Sequence, residues 1–268
     1  MSDTRALQQQ LASLQRAGVT DLPLPRPGLG VNDCAEVVER PTGMIESSLE
    51  GGPVVKEPIE PLAPNPHRGP SIDGQRAAAL NVIAQEVASC ELCPELASSR
   101  TQTVFGVGNP HARLCFFGEA PGADEDRIGE PFVGRAGQLL DKIIQACTLR
   151  REDVYILNVL KCRPPGNRNP AADEVACCRA FFERQLEIIQ PEFICCLGSI
   201  AATNLLETTQ TIGKLRGRFH QWRDIKVIAT YHPAYLLRNP SAKAEVWKDM
   251  QMLMREMGIP LSTDNPGQ

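Results

Sequence analysis

The sequence predicts an α/β fold in which a mostly parallel sheet is covered by helices on both faces. Four continuous apolar runs read as buried strands: Leu114–Phe117, Val154–Val159, Phe193–Leu197 and Val227–Thr230. Helical patterns lie between and around them, at Arg76–Ser89, Arg135–Ala146, Asp173–Ile189, Ile200–Leu206 and Ala242–Met257. Continuous apolar strands that alternate with helices are typical of a parallel sheet buried on both sides.

The first 75 residues differ in composition from the rest of the chain. They hold 10 of the 22 prolines and lack Phe, Trp and Tyr. Their 6 Lys or Arg against 10 Asp or Glu give a net charge of −4, which equals that of the whole chain. A segment so poor in apolar side chains cannot offset its ordering entropy. We therefore expect a Pro-rich, largely disordered extension over residues 1–71, a globular domain over 72–259 and a C-terminal tail over 260–268.

One short helix is predicted within this extension. Leu7, Leu11 and Leu14 recur at helical spacing over residues 4–17. A helix of this length either frays in isolation or docks into the groove of a protein partner. Both alternatives stay open.

Membrane and export signals do not appear in the sequence. No apolar run approaches the length of a membrane-spanning helix, and no secretory signal precedes the domain. We expect a cytoplasmic monomer. Ten cysteines in a reducing compartment then favour metal binding over disulfides.

The spacing of several cysteines is typical of a metal site. Cys90 and Cys93 form a C-x-x-C pair, Cys162 follows the second strand, and Cys177 and Cys178 lie on the next helix. Such soft thiolates suit zinc or an iron–sulfur cluster. The C-x-x-C pair alone would fit a redox pair equally well, and the spacing does not choose zinc over iron.

Glycine-rich segments follow the first predicted strand. The run from Gly118 to Gly122 ends that strand, and a second segment, Gly129 to Gly137, carries Phe132. Glycine lets the backbone approach a ligand closely, and open α/β sheets bind ligands at the carboxyl ends of their strands. The two segments therefore predict a lined pocket.

Three of the four predicted strands end near a polar residue, namely Glu119, Asn158 and His232. A buried amide such as Asn158 is costly without partners, and its oxygen and NH₂ group can read the edge of a planar base. Glu119 fits a solvated carboxylate, a base or an electrostatic element. His232 fits a structural histidine as well as a functional one. Basic residues in the neighbouring loops suit either ordinary surface or a phosphate-binding strip.

From about Cys90 to Gln251, the chain resembles the iron–sulfur family 4 uracil-DNA glycosylases, because it carries a series of motifs in the same order as that family. The matching segments are Val104–Pro110, Gly118–Gly122, Glu125-Asp126, Gly129–Gly134, Asn158–Arg168, Leu215–Arg218 and His232–Pro240. The resemblance implies a three-layer α/β/α fold around a central four-stranded parallel sheet. We expect an ordinary loop over Leu215–Trp222.

The resemblance also implies an activity and a cofactor. The activity is that of a monofunctional hydrolase that removes uracil from DNA and leaves an abasic site for base excision repair. The cofactor is a [4Fe-4S] cluster on Cys90, Cys93, Cys162 and Cys178, where Cys178 is preferred to Cys177 because the family's last ligand lies sixteen positions after Cys162.

Under this hypothesis the catalytic residues are Glu119, Asn158 and His232. Uracil is bound by these three together with Gly118, Ala120 and Phe132. Two other classes of protein compete with it: a non-catalytic DNA-binding or damage-sensing module on the same fold, and a zinc-stabilised interaction protein.

Overall fold

The computed structural model describes residues 72–261. Nine helices lie in this range: α1 (Ile72–Ala88), α2 (Pro94–Ser99), α3 (Ala123–Ile128), α4 (Arg135–Ala146), α5 (Ala172–Ile189), α6 (Ser199–Leu205), α7 (Ile212–Leu215), α8 (Pro233–Arg238) and α9 (Lys243–Met257). Its six strands are β1 (Val107–Gly108), β2 (Leu114–Gly118), β3 (Tyr155–Asn158), β4 (Phe193–Leu197), β5 (Phe219–Trp222) and β6 (Ile225–Thr230).

The six strands form one mixed sheet in the order β1-β3-β2-β4-β6-β5. The four central strands, β3, β2, β4 and β6, pair in parallel and correspond to the four apolar runs of the sequence. The edge strands β1 and β5 pair antiparallel to β3 and β6. The α/β class is therefore confirmed, but the sheet has six strands rather than four.

The two edge strands escaped the sequence pattern for physical reasons. Strand β1 has only two residues, too few for any periodicity to emerge. Strand β5 lies at the sheet edge and is only partly buried, so it lacks the continuous apolar run of a central strand. The expectation of a loop over Leu215–Trp222 was wrong, because this segment includes β5.

Both faces of the sheet are covered, which gives three layers. Along β2, Cys115 and Phe117 join one buried cluster and Leu114 and Phe116 the other, as the two-residue period of a strand requires. Helix α5 packs into the first cluster and α9 into the second. This arrangement leaves the carboxyl ends of the central strands at one edge of the sheet.

The long helices match their patterns, whereas short ones were missed. Helix α4 has the predicted bounds, and the other four long patterns agree to within a few residues. Helices α2, α3, α7 and α8 have four to six residues each, less than two turns. The N-terminal helix over residues 4–17 lies outside the described residues. None of the helices in residues 72–261 is both long and apolar enough to span a bilayer.

Candidate active site

A cavity of about 420 Å³ lies where the central strands end. It brings together Glu119 after β2, Asn158 at the end of β3 and His232 after β6, with Phe132 from the segment between α3 and α4. The other lining residues are Ala120, Pro121, Gly122, Glu125, Ala136, Pro164, Asn167, Arg168, Asn169, Ala234, Tyr235 and Arg238. Residues far apart in sequence thus share one site, and five of them are site residues predicted from the sequence: Glu119, Ala120, Phe132, Asn158 and His232.

Gly118 lies directly against two of these side chains. A Cβ atom at this position would stand 2.2 Å from Oδ1 of Asn158 and 2.6 Å from Cε2 of Phe132. Neither distance is compatible with a side chain. The glycine is therefore required so that Asn158 and Phe132 can pack over the end of β2.

Phe132 has an unusual backbone conformation. Its φ of 55° lies in the left-handed region, which bulky residues avoid. Its carbonyl packs against Gly137 of α4, where a Cβ atom would stand 1.8 Å from the Phe132 oxygen. Such strain persists only where surrounding contacts over-determine the conformation, and it clusters at ligand sites.

Glu125 supplies some of those contacts. Its Oε1 accepts hydrogen bonds from the backbone N–H groups of Val133 and Gly134, at 3.0 Å each. Its Oε2 accepts a third from the N–H of Gly122, at 3.1 Å. One carboxylate therefore joins the two glycine-rich segments around the cavity. In the sequence, Glu125 belongs to a motif, and nothing there predicts this role.

Asn158 is 2% exposed, and its Oδ1 has no hydrogen-bond partner among residues 72–261. Leaving a buried acceptor unpaired costs about 1–3 kcal/mol. Because Asn158 also lines the cavity, the unpaired oxygen is positioned to meet a donor on a ligand.

His232 is held in one tautomer. Its Nδ1 accepts a hydrogen bond from the backbone N–H of Ala234 at 3.1 Å, so the proton of the neutral ring resides on Nε2. Burial, followed by the charge of Arg238, lowers the pKa of His232 to about 4, against a smaller opposing effect of Glu125. At neutral pH the ring is therefore an uncharged donor. Its centroid lies 5.5 Å from that of Phe132.

Glu119 is half-buried on the cavity wall. Burial raises the pKa of its carboxyl above the ordinary value. Its backbone carbonyl accepts a hydrogen bond from the N–H of Leu160 at 3.1 Å, which extends the β2–β3 pairing beyond the strand ends. The turn that carries Glu119 and Ala120 is thereby fixed to the sheet.

Two basic residues of the loops near the cavity, Lys161 and Arg216, do not lie on the surface. Lys161 is 1% exposed, and burial lowers its pKa to about 7. Arg216 is also largely buried and forms ion pairs with Glu245 and Asp249. These two cations cannot contact a phosphate backbone from their present positions. Arg168 and Arg238, in contrast, line the cavity.

Arg216 belongs to a buried network at the end of β6. Asp249 is fully buried and accepts hydrogen bonds from Oγ1 of Thr230 at 2.7 Å and from Arg216, whose Nε and Nη2 lie 3.1 and 3.0 Å from its oxygens. Burial raises the pKa of Asp249 although these donors oppose the change. The Arg216 guanidinium also lies 5.3 Å from the ring centroid of Tyr231, the residue before His232.

Five cysteines from three segments lie within electrostatic reach of one another: Cys90, Cys93, Cys162, Cys177 and Cys178. Burial, reinforced by neighbouring thiols, raises the pKa of three of them, Cys93, Cys162 and Cys178. Two N–H groups donate to the sulfurs. Nη1 of Arg100 lies 3.2 Å from Sγ of Cys162, and the backbone N–H of Lys161 bonds to Cys178.

This donor set fits a thiolate-bound metal group. No three His, Cys, Asp or Glu side chains are already arranged as a metal site within residues 72–261. The gathered donors are nonetheless all sulfur, and N–H groups bonded to the sulfurs are a feature of iron–sulfur sites. Cys178 is buried and interacts with Cys90, Cys93 and Cys162. Cys177 is half-buried and interacts with Cys93, and its Sγ lies 3.9 Å from the carbonyl oxygen of Leu92.

Comparisons with known proteins agree with this site. Residues 105–251 match the uracil DNA glycosylase superfamily. A type-4 uracil-DNA glycosylase of Archaeoglobus fulgidus is 48% identical over 183 residues, which cover 65% of this chain and 91% of the relative. Those of Thermotoga maritima (46% identical, 62% of this chain and 87% of the relative) and Saccharolobus solfataricus (41% identical, 69% and 90%) are also similar. The chain belongs to the uracil DNA glycosylase superfamily and, within it, to the type-4 family.

Proposed function

We propose that this protein hydrolyses the N-glycosidic bond between uracil and deoxyribose in DNA, which releases uracil and leaves an abasic site for base excision repair. One observation carries the proposal: a buried amide with an unpaired oxygen, an aromatic ring and an uncharged imidazole share one cavity. The similarity to the type-4 enzymes supports the same conclusion.

The target nucleotide leaves the base stack before it reacts, because the glycosidic bond is inaccessible within a duplex. Phe132 stacks on the extruded base. Its ring packs against Gly118 and its backbone packs against Gly137, so the stacking surface is formed before DNA binds. The turn of Gly118, Glu119 and Ala120 forms the adjoining wall.

Asn158 selects uracil. Its oxygen accepts a hydrogen bond from N3–H of the base and its NH₂ group donates to O4. Cytosine presents an acceptor and a donor in the opposite places, so both groups of the amide would be mispaired in a buried site. Mispairing of this kind costs several-fold to hundredfold in affinity.

His232 assists departure of the base. Negative charge accumulates on O2 of uracil as the bond breaks, and Nε2–H of the neutral ring donates a hydrogen bond to it, as a donor does in an oxyanion hole. Glu119 stabilises the positive charge that develops on the sugar or positions the attacking water. The cavity-lining residues include no lysine, in accord with hydrolysis that leaves the DNA strand intact.

A [4Fe-4S] cluster held by Cys90, Cys93, Cys162 and Cys178 completes the proposal. When bound, the cluster supplies thiolate–iron bonds that cross-link the segment after α1, the segment after β3 and α5. Its role is structural. Iron and sulfide analysis of the purified protein tests the assignment, and the protein should be brown. Stoichiometric zinc without iron would contradict it.

The test of function uses an oligonucleotide with a single uracil, in single-stranded and double-stranded form. The protein should convert it to a product that alkali cleaves at the uracil position, while matched oligonucleotides with cytosine or thymine stay intact. Binding without alkali-labile product would instead indicate a non-catalytic module. We expect the enzyme to act as a monomer in the cytoplasm, at the nucleoid.

A further inference from the structure

Lys161 is a buried lysine that the proposed mechanism does not use. It lies three residues after Asn158 and immediately before Cys162. Its Nζ donates hydrogen bonds to the backbone carbonyl of Asn158 at 3.0 Å and to that of Phe105 at 3.2 Å. The side chain therefore folds back onto the strand end that presents the amide to the cavity.

The backbone of Lys161 is engaged on the opposite side. Its N–H donates to the sulfur of Cys178, and its carbonyl accepts from the N–H of Val104 at 2.7 Å. Lys161 thus contacts both the proposed base-reading residue and the cysteine set. The backbone and side chain of one residue connect two parts of the molecule that the proposed function assigns to different tasks.

Burial of a lysine amino group needs a compensating reason. Desolvation of such a polar group is costly unless it is hydrogen-bonded, and an apolar side chain of similar size would fill the same space without that cost. The carbonyl of Asn158 lies at the end of β3, and Lys161 donates to it there. Fixing that carbonyl fixes the peptide plane from which the Asn158 side chain projects.

We propose that Lys161 is a positioning residue: it orients the Asn158 amide through the backbone carbonyl of Asn158, and it couples that amide to the cysteine set. The proposal rests on the function proposed above, in which Asn158 reads uracil. Lys161 itself touches neither the base nor the reacting atoms.

The first experiment compares Lys161→Met, which keeps the apolar stem but lacks the donor, with Lys142→Met at an exposed lysine of α4. Leaving the buried carbonyl acceptor of Asn158 without its donor is worth roughly tenfold. We expect Lys161→Met to lower kcat on the uracil oligonucleotide by about that factor, with unchanged iron content and unchanged affinity for undamaged DNA. Lys142→Met should match the wild type.

The second experiment is a double-mutant cycle with Asn158→Ala. If Lys161 acts through Asn158, the Lys161→Met substitution should have little further effect once the amide is absent. Binding of an uncleavable deoxyuridine analogue provides a readout independent of turnover and should show the same non-additivity. Independent, multiplicative effects would overturn the proposal, as would loss of iron that by itself accounts for the lost activity.

Two controls keep the outcomes separate. If Lys161→Met does not fold, Lys161→Gln, which retains a shorter donor, enters the same cycle. A wild-type protein inactive on uracil DNA would remove the proposed function. An active wild type whose Lys161 variants keep full kcat would remove only the role of Lys161.

Discussion

Buried polar groups are satisfied in one region of the molecule and left unsatisfied in another. At the end of β6, Asp249 accepts hydrogen bonds from both Thr230 and Arg216. In the cavity, Oδ1 of Asn158 has no hydrogen-bond partner among the described residues. Unpaired burial lowers stability. The comparison therefore separates a network that stabilises the fold from a site that a ligand completes.

The largest effect is expected where the satisfied network is broken. Asp249→Ala removes the acceptor of the buried Thr230 hydroxyl and the buried one of the two acidic partners of Arg216, which keeps only the more exposed Glu245. Removing one partner of a buried ion pair costs about 3–5 kcal/mol in the free energy of unfolding. Urea denaturation measures the change. Glu192→Ala removes an exposed ion pair with Arg113 and should cost at most about 1 kcal/mol. Equal losses of stability from the two substitutions would contradict the conclusion that the Asp249 network stabilises the fold.

In the cavity, His232→Ala should affect rate rather than stability. Loss of one donor to a developing anion lowers kcat by roughly 10²–10³. Single-turnover excision measures it. His220 provides the matched control. It lies on β5, and its Nε2 lies 2.7 Å from the carbonyl oxygen of Leu215. His220→Ala should excise uracil at the wild-type rate, and a near-normal rate for His232→Ala would refute the assigned role.

Adding a methyl group at Gly118 should displace side chains that line the cavity. The new Cβ would collide with Asn158 and Phe132, and a displacement of about 1 Å at a reacting site costs on the order of 100-fold in rate. Gly213 on α7 has no atom within 4 Å of an added Cβ. Gly213→Ala should therefore leave kcat/KM unchanged, whereas an unaffected Gly118→Ala enzyme would show that the cavity tolerates displacement.

Removing the unpaired amide should separate activity from stability. Asn158→Ala should abolish discrimination for uracil, yet it should leave the free energy of unfolding within about 1 kcal/mol of wild type, because no protein hydrogen bond to Oδ1 is lost. Urea denaturation and excision assays on the same preparation check both parts. A loss of stability as large as that of Asp249→Ala would mean that the amide stabilises the fold.

The smallest effect concerns pH. Because the pKa of His232 is lowered to about 4, its titration should reduce excision only near that pH and not near neutrality. Protonation of Glu119, whose pKa is raised by burial, should begin to reduce excision at a higher pH. As pH decreases below about 6.5, the unfolded chain binds the proton first. Stability from His232 is therefore present above that pH and is lost toward about pH 4. His232→Ala should flatten the unfolding profile in this window, and an unaltered profile would argue against a lowered pKa.

The central strands, the long helices and the polar residues at the strand ends could be predicted from local sequence. The apolar runs of the four central strands and the periodicity of the long helices depend on neighbouring residues, so both appear in the sequence. The same holds for the polar residues at the strand ends, since parallel strands present their carboxyl ends at one edge. Short elements such as β1 and α7 contain too few residues to produce such a pattern.

The burial and the interaction partners of the polar side chains, in contrast, are determined by the tertiary structure. Nothing in its local sequence distinguishes Lys161 from a surface lysine, yet it is buried in the fold. Arg216 pairs with Asp249, which lies 33 positions away. The unpaired oxygen of Asn158 also arises only when distant segments meet, whereas the tautomer of His232 is set locally by the backbone N–H of Ala234. A residue's type sets which hydrogen bonds it can form, but its burial and partners depend on what the rest of the chain packs against it, which no local pattern encodes.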